Sequence, residues 1–154
     1  PGRLPRTCPS GVHALPHRPQ ILYYPTLRDS GPAPLPRGNK RWEVLRLTKL
    51  ADGIIDAALT TILEKRRPEG IHFTPWLDRQ ASAIQRALDA LTTELSFLSL
   101  EKPGVCEITC AVALAYLDFR MGYLHWRDHR PGLPAWADAF AQRPSMLTTA
   151  PLAA

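Results

Sequence analysis

The 154-residue sequence is poor in the features that announce chemistry. Its three cysteines, Cys8, Cys106 and Cys110, are too few and too odd in number for a disulfide framework, which agrees with a reducing compartment. Cys106 and Cys110 stand four apart in an apolar segment, where cysteine is expected as a small buried hydrophobe rather than a nucleophile or ligand. Charge interrupts every apolar run well before the roughly 18 residues of a membrane span, and no basic-then-apolar leader opens the sequence. A cytoplasmic protein without membrane contact is the expectation. Also missing are a glycine-rich phosphate loop, a nucleophile elbow, zinc-ligand spacing and any carboxylate pair that can be placed. The residues alone therefore assign no catalytic group and no metal site.

Acidic residues are nearly absent from the first 41 positions. Arg3, Arg6, Arg18, Arg28, Arg37, Lys40 and Arg41 face Asp29 alone there, so this stretch carries the whole surplus behind the net charge of +5. The remaining chain is close to neutral. A nucleic-acid reader would carry its basic stripe on a folded face with aromatics or a recognition helix, and that footprint is missing, so no nucleic-acid partner is expected.

What the sequence does have is unevenly spread proline, nine of 16 falling within residues 1–36. Proline fixes φ and removes a donor, so residues 1–38 are expected to be irregular, with only Ile21-Leu22-Tyr23-Tyr24 cohesive. Residues 39–154 change texture to long periodic segments, and the 45% of apolar residues in the whole chain is enough for one core. Four main helices are expected, and the class is all-α.

The first is expected over residues 39–66, with Asn39 as N-cap and Trp42, Leu45, Leu50, Ile54, Ala58 and Ile62 inward. Lys65, Arg66 and Arg67 complement its C-terminal dipole, and Pro68 ends it. The second, residues 75–97, has Thr74 as N-cap and Pro75 in its first turn. Its stripe Leu77, Ala81, Ile84, Leu88, Leu91, Leu95 and Leu98 steps by alternating fours and threes, leaving Asp78, Arg79, Gln85, Arg86 and Asp89 on the wet side. The third, residues 105–123, is apolar on nearly every face and is expected at the centre of the bundle. Gly104 is its N-cap and Glu107 the acidic half of a capping box. The fourth, residues 133–142, packs Trp136 and Phe140, with a surface tail around Pro144 and Pro151.

Two groups on the third and fourth segments invite a functional reading. His125 and His129 are spaced for a metal on a continuous helix, yet no further ligand joins them, so solvated or dipole-pairing histidines are expected. Asp118 and Arg120 are charges deep in the third helix and are read as structural, in an ion pair or cap.

Four strings in order carry a resemblance: Leu-Ala-Asp-Gly-Ile-Ile-Asp-Ala-Ala at 50–58, Trp-Leu-Asp-Arg-Gln at 76–80 with Ala-Leu-Asp-Ala-Leu at 87–91, Ala-Leu-Ala-Tyr-Leu-Asp-Phe-Arg at 113–120, and Pro-Ala-Trp at 134–136 through Gln-Arg-Pro-Ser at 142–145. Together they resemble the C-terminal helical domain of bacterial glutathione S-transferases over about residues 40–151. The resemblance implies a helical bundle of that type, four main helices after a Pro-rich irregular segment. It also implies glutathione as the family co-substrate and a hydrophobic small-molecule electrophile. Contacts with a thioredoxin-like domain or a second copy in a homodimer follow from it as well.

In the family the thioredoxin-like domain comes first and activates the thiol, while the helices wall the electrophile pocket. That implies substrate-binding roles for Arg41, Leu45, Asp52, Tyr116 and Arg120. Two departures stand out. Where the family has a Ser/Thr-x-x-Asp cap, this sequence has Gly104 and Glu107. Upstream, Ile21 and Tyr24 echo the family's Ile-x-x-Tyr, but His17 and Arg18 occupy the positions of its glutathione-holding acid and serine. Residues 1–38 thus read as a remnant of a thioredoxin-like domain lost or scrambled by truncation, a misplaced start or a frameshift. The expectation is a chain that is not catalytic alone; the alternative is a non-catalytic helical interaction module.

Overall fold

The computed structural model describes residues 35–151, and the segment expected to be irregular lies outside them up to residue 34. Among the described residues there are helices and turns and no strand. α1 is Lys40–Lys65, α2 Thr74–Thr93, α3 Val105–Arg120, α4 Leu133–Ala141 and α5 Pro144–Thr149. Single 3₁₀ turns at Glu69–Ile71, Leu95–Phe97 and Gly122–Leu124 join them.

The central helix is α1, not α3 as the composition suggested. It packs along both α2 and α3, and small buried residues Ala51, Ala57 and Ala58 let the backbones approach. Its buried stripe is Leu47, Thr48, Ala51, Ile54, Ala57, Ala58 and Thr61, which is rotated from the expected one. Trp42, expected inside, is 71% exposed because it lies opposite that stripe in the first turn. The buried hydroxyls of Thr48 and Thr61 donate to Val44 O at 2.7 Å and Ala57 O at 2.8 Å, which removes the cost of burying them. Asn39 makes no side-chain cap and is already helical, after Gly38 at φ +71°.

α2 carries the expected stripe inward, with Ile84, Leu88 and Leu91 buried. Its start is one residue earlier than expected, so Thr74 is inside the helix and Phe73 is the cap residue, its N–H donating to Glu64 Oε1 at 3.1 Å. It also ends early, at Thr93. The β-branched pair Thr92 and Thr93 turns its hydroxyls back onto Leu88 O and Asp89 O, and Glu94 is held by Arg46 of α1. The following 3₁₀ turn delivers Leu98 into the core.

α3 stops at Arg120 rather than Tyr123. Met121 leaves helical geometry at φ −134°, ψ 33°, and both Met121 and Trp126 are buried in the turn that follows. The chain re-enters a helix at Gly132, whose φ of +87° favours glycine, and a Cβ there would stand 2.7 Å from Leu95 Cδ2 and push that methyl aside. α4 buries Leu133, Trp136 and Phe140, with Trp136 Nε1 donating to Leu98 O at 3.2 Å. The expected surface tail is at the surface and begins with a short helix, α5, because Pro144 occupies a first-turn position where a missing N–H costs nothing.

Candidate functional site

Offsets of four and eleven residues place Arg41, Leu45 and Asp52 on one stripe of α1, away from its buried face. Arg41 is exposed, and Leu45 and Asp52 are half-buried. Lys49 Nζ reaches Asp52 Oδ2 at 3.5 Å, an exposed pair worth little in stability. On α3, Tyr116 is half-buried against the core, and one turn later Arg120 is exposed with its guanidinium 4.2 Å from the Phe119 ring. Neither Arg120 nor Asp118, whose side chain is more than a third exposed, is the deep charge that the sequence suggested.

Lys65, the last residue of α1, stacks its ammonium 3.9 Å from the Tyr123 ring just beyond the end of α3. α1 and α3 therefore run parallel, with their C-terminal ends together. Counting back along α1 at 1.5 Å per residue, Arg41 lies more than about 20 Å along the bundle from Arg120. The five residues are spread along one long face and do not converge on a single small pocket.

Between the α1 and α3 stripes the surface is apolar. Val105, Ile108, Val112, Ala115 and Phe119 line the outward side of α3 without a charge, and Ile108 and Val112 are 50% and 45% exposed. On α1, Leu59 and Leu63 are also exposed. Nothing among the described residues covers this side of α3, which is why the helix is not central despite its composition.

At the start of α3, Gly104 has no side chain to offer, so only the acidic half of a capping box forms. Glu107, 6% exposed, accepts from Gly104 N–H at 2.8 Å, from Ser99 N–H at 3.3 Å and from Cys106 Sγ–H at 3.0 Å. It thereby fastens the 99–104 loop to the helix. Burial first, and then Glu107, pushes the Cys106 thiol far up; burial pushes Cys110 up to about 12. Both are free, buried and poor nucleophiles.

A second polar assembly lies at the corner between α3 and α4. Asp118 accepts from Trp126 Nε1 at 2.7 Å and from Arg127 Nη2 at 2.7 Å, and Arg127 Nη1 continues to Asp138 Oδ1 at 2.9 Å. The bond to Asp118 is the main cause that raises the Arg127 pKa. Arg130 reaches across to α2, donating to Gln85 Oε1 at 2.6 Å and Asp89 Oδ1 at 2.8 Å, and back to Trp126 O at 2.9 Å.

A cleft of about 340 Å³ beside Arg130 is lined by Gln85, Asp89, Leu124, His125, Asp128 and His129. His125 and His129 are not on a helix; both take positive φ in the connecting loop, so their i,i+4 spacing has no helical meaning. No group of three metal-ligating side chains forms among the described residues. Arg127 and Arg130 were missed in sequence, where the only hint was the cluster of basic residues between 120 and 130.

No helix among the described residues is long and apolar enough to cross a membrane. Residues 74–139 match the family model of the glutathione S-transferase C-terminal domain. An uncharacterized GST-like protein of Escherichia coli K12, YibF, is 34% identical over 136 residues, covering 86% of this chain and 67% of that one. A glutathione transferase family member from Pseudomonas fluorescens Pf-5, solved with bound S-(propanoic acid)-glutathione, is 42% identical with a TM-score of 0.79, over 85% of this chain and 68% of that one. A glutathione S-transferase of Methylobacterium radiotolerans in complex with glutathione sulfonate is 28% identical with a TM-score of 0.72, over 85% and 64% of the two chains.

Proposed function

The chain belongs to the glutathione S-transferase family, and we propose that its helices form the second-substrate wall of a glutathione-dependent transferase. In this reading α1 and α3 face a thioredoxin-like domain, and a small apolar electrophile rests between them. Arg41, Leu45 and Asp52 on α1 and Tyr116 and Arg120 on α3 line different stretches of that long face. The observation that carries the reading is the outward side of α3, uncharged from Val105 to Phe119 and left open with Ile108 and Val112 half-exposed. A stripe of that length is costly in water and gains stability when covered.

Catalysis in this reading lowers the glutathione thiol pKa through a donor aimed at the sulfur, and that donor belongs to the thioredoxin-like side. The helices alone are then not a transferase. The Pseudomonas relative's glutathione with a propanoic acid group on sulfur supports small S-substituents as the class received here. We place the protein in the cytoplasm, acting as a homodimer.

Isothermal titration of the 154-residue chain with reduced glutathione tests the division of labour, after circular dichroism has established that it is helical. The expected result is no saturable binding. Saturable binding with conjugation of a test electrophile would overturn it.

The same open face favours a second reading, a non-catalytic helical interaction module, in which a protein partner takes the place of the thioredoxin-like domain. The two separate on whether a small neutral aromatic binds the face.

A further inference from the structure

At the shared C-terminal end of α1 and α3, two cations each lie over an aromatic ring. Lys65 Nζ is 3.9 Å from the Tyr123 ring centre and Arg120 Cζ is 4.2 Å from that of Phe119. From these contacts we propose that this end of the wall is an anion-receiving subsite, which selects second substrates or conjugates carrying a carboxylate on an apolar body. The inference rests on the reading of α1 and α3 as the second-substrate wall and names the substrate class for it.

The cations are positioned but not neutralised. Among the described residues neither Lys65 nor Arg120 forms an ion pair, whereas Arg46, Arg67, Arg127 and Arg130 all do. The carboxylates nearest in sequence are occupied. Glu64 is held by Arg67 and by the Phe73 N–H, and Asp118 by Trp126 and Arg127. Asp52 and Asp56 on the open side of α1 lie two turns or more below Lys65.

A cation in the last turn of a helix also complements the dipole, and that alone would account for a Lys or Arg at these places. Both head groups instead rest on ring faces, which holds a cation in place while leaving its remaining donors free. Tyr116, one turn before Arg120 on the same stripe, adds a hydroxyl without a partner among the described residues. Just below lie the uncharged, exposed Val112 and Ala115, suited to the apolar body of such a molecule. Apolar floor and cationic rim together match an aromatic or alkyl carboxylate better than a neutral electrophile.

The test is a chemical-shift titration of the 154-residue chain with 2-naphthoate and with its neutral counterpart, naphthalene-2-carboxamide. Arg120→Gln and the charge-retaining Arg120→Lys are run alongside, with circular dichroism as the check on folding. The expected result is naphthoate binding about tenfold tighter than the carboxamide, with the preference abolished in R120Q and largely kept in R120K. Equal affinities in the wild type, or a preference that R120Q leaves intact, would overturn the subsite and leave the apolar wall standing. Failure of both probes to bind would overturn the wall and the subsite together.

Discussion

Where α1, α2 and α3 meet, Ile54, Ile84, Leu88, Leu91, Leu114 and Leu117 are fully buried among other apolar groups. At the corner between α3 and α4, Trp126 is buried nearly as completely in the same core, yet its indole N–H and its carbonyl are tied to Asp118, Arg127, Asp138 and Arg130 through hydrogen-bonded chains. The first region is held by area removed from water, a non-directional force that tolerates rotation of a helix about its axis. The second is held by directional bonds that fix each side chain in one place. The difference explains why α1 settles with a stripe rotated from the simplest period, whereas the corner needs particular residues at 118, 126, 127, 130 and 132.

Removing volume from the bundle has the largest expected effect. Leu114→Ala leaves a cavity among α1 and α3 side chains and is expected to lower stability by about 3 kcal/mol. Urea denaturation reads this as a lower midpoint at unchanged slope; a loss under about 1 kcal/mol would show that the core collapses onto the gap.

Breaking the corner costs less and stays local. Asp118→Ala strips the acceptor from the Trp126 indole and frees Arg127, at an expected cost of about 1–2 kcal/mol. The charge part is small because Asp118 and Arg127 are each more than a third exposed. Hydrogen exchange of the Trp126 indole N–H is expected to accelerate while amides in α2 keep their protection. Equal acceleration in α2 would mean that corner and bundle unfold as one unit.

The comparison is sharpened by completing the cap where the two regions share a helix. Gly104→Ser supplies the hydroxyl that the α3 start lacks, at a backbone angle of φ −105° that any residue adopts. A gain of a few tenths of a kcal/mol is expected by thermal melting. A loss would show that the Glu107 half-cap already sets the loop in a geometry that excludes a side chain.

Much of the bundle was legible because burial follows period. The α2 stripe from Leu77 to Leu98 contains no fully exposed member, and α4 has the expected Trp136 and Phe140 inside. Trp42 was misread because hydrophobicity says that a side chain gains by burial, not that a partner is within reach at a helix end. The ends of α2 and α3 were overrun because Phe97 and Tyr123 continue the apolar pattern after the backbone has turned. α5 went unread because the tail around Pro144 and Pro151 offered no apolar period, although Pro144 starts a helix there.

The corner network was the least legible part. Its partners are separated by up to 45 positions, as between Gln85 and Arg130, and no local period records such a bond. Asp118 did signal a polar group wanting a partner, but the sequence offered Arg120 beside it, and the partner came from Arg127 across a turn. As for the wall, Tyr116 and Arg120 share a stripe by simple i,i+4 spacing, whereas the stacking of Lys65 on Tyr123 at the same end required the parallel arrangement of α1 and α3.

That parallel arrangement has a consequence for how the chain assembles. α2 returns on α1 after a turn of eight residues, 66–73, whereas the ends of α1 and α3 meet across about 60 positions of sequence. Three doublings of loop length add on the order of 2 kcal/mol of closure entropy when the chain is still unstructured. Once the α1–α2 hairpin exists, α2 carries the chain back to the start of α1 as a rigid rod and most of that cost disappears. The spacing of the elements thus favours an order of events in which the hairpin forms first and α3 docks onto it.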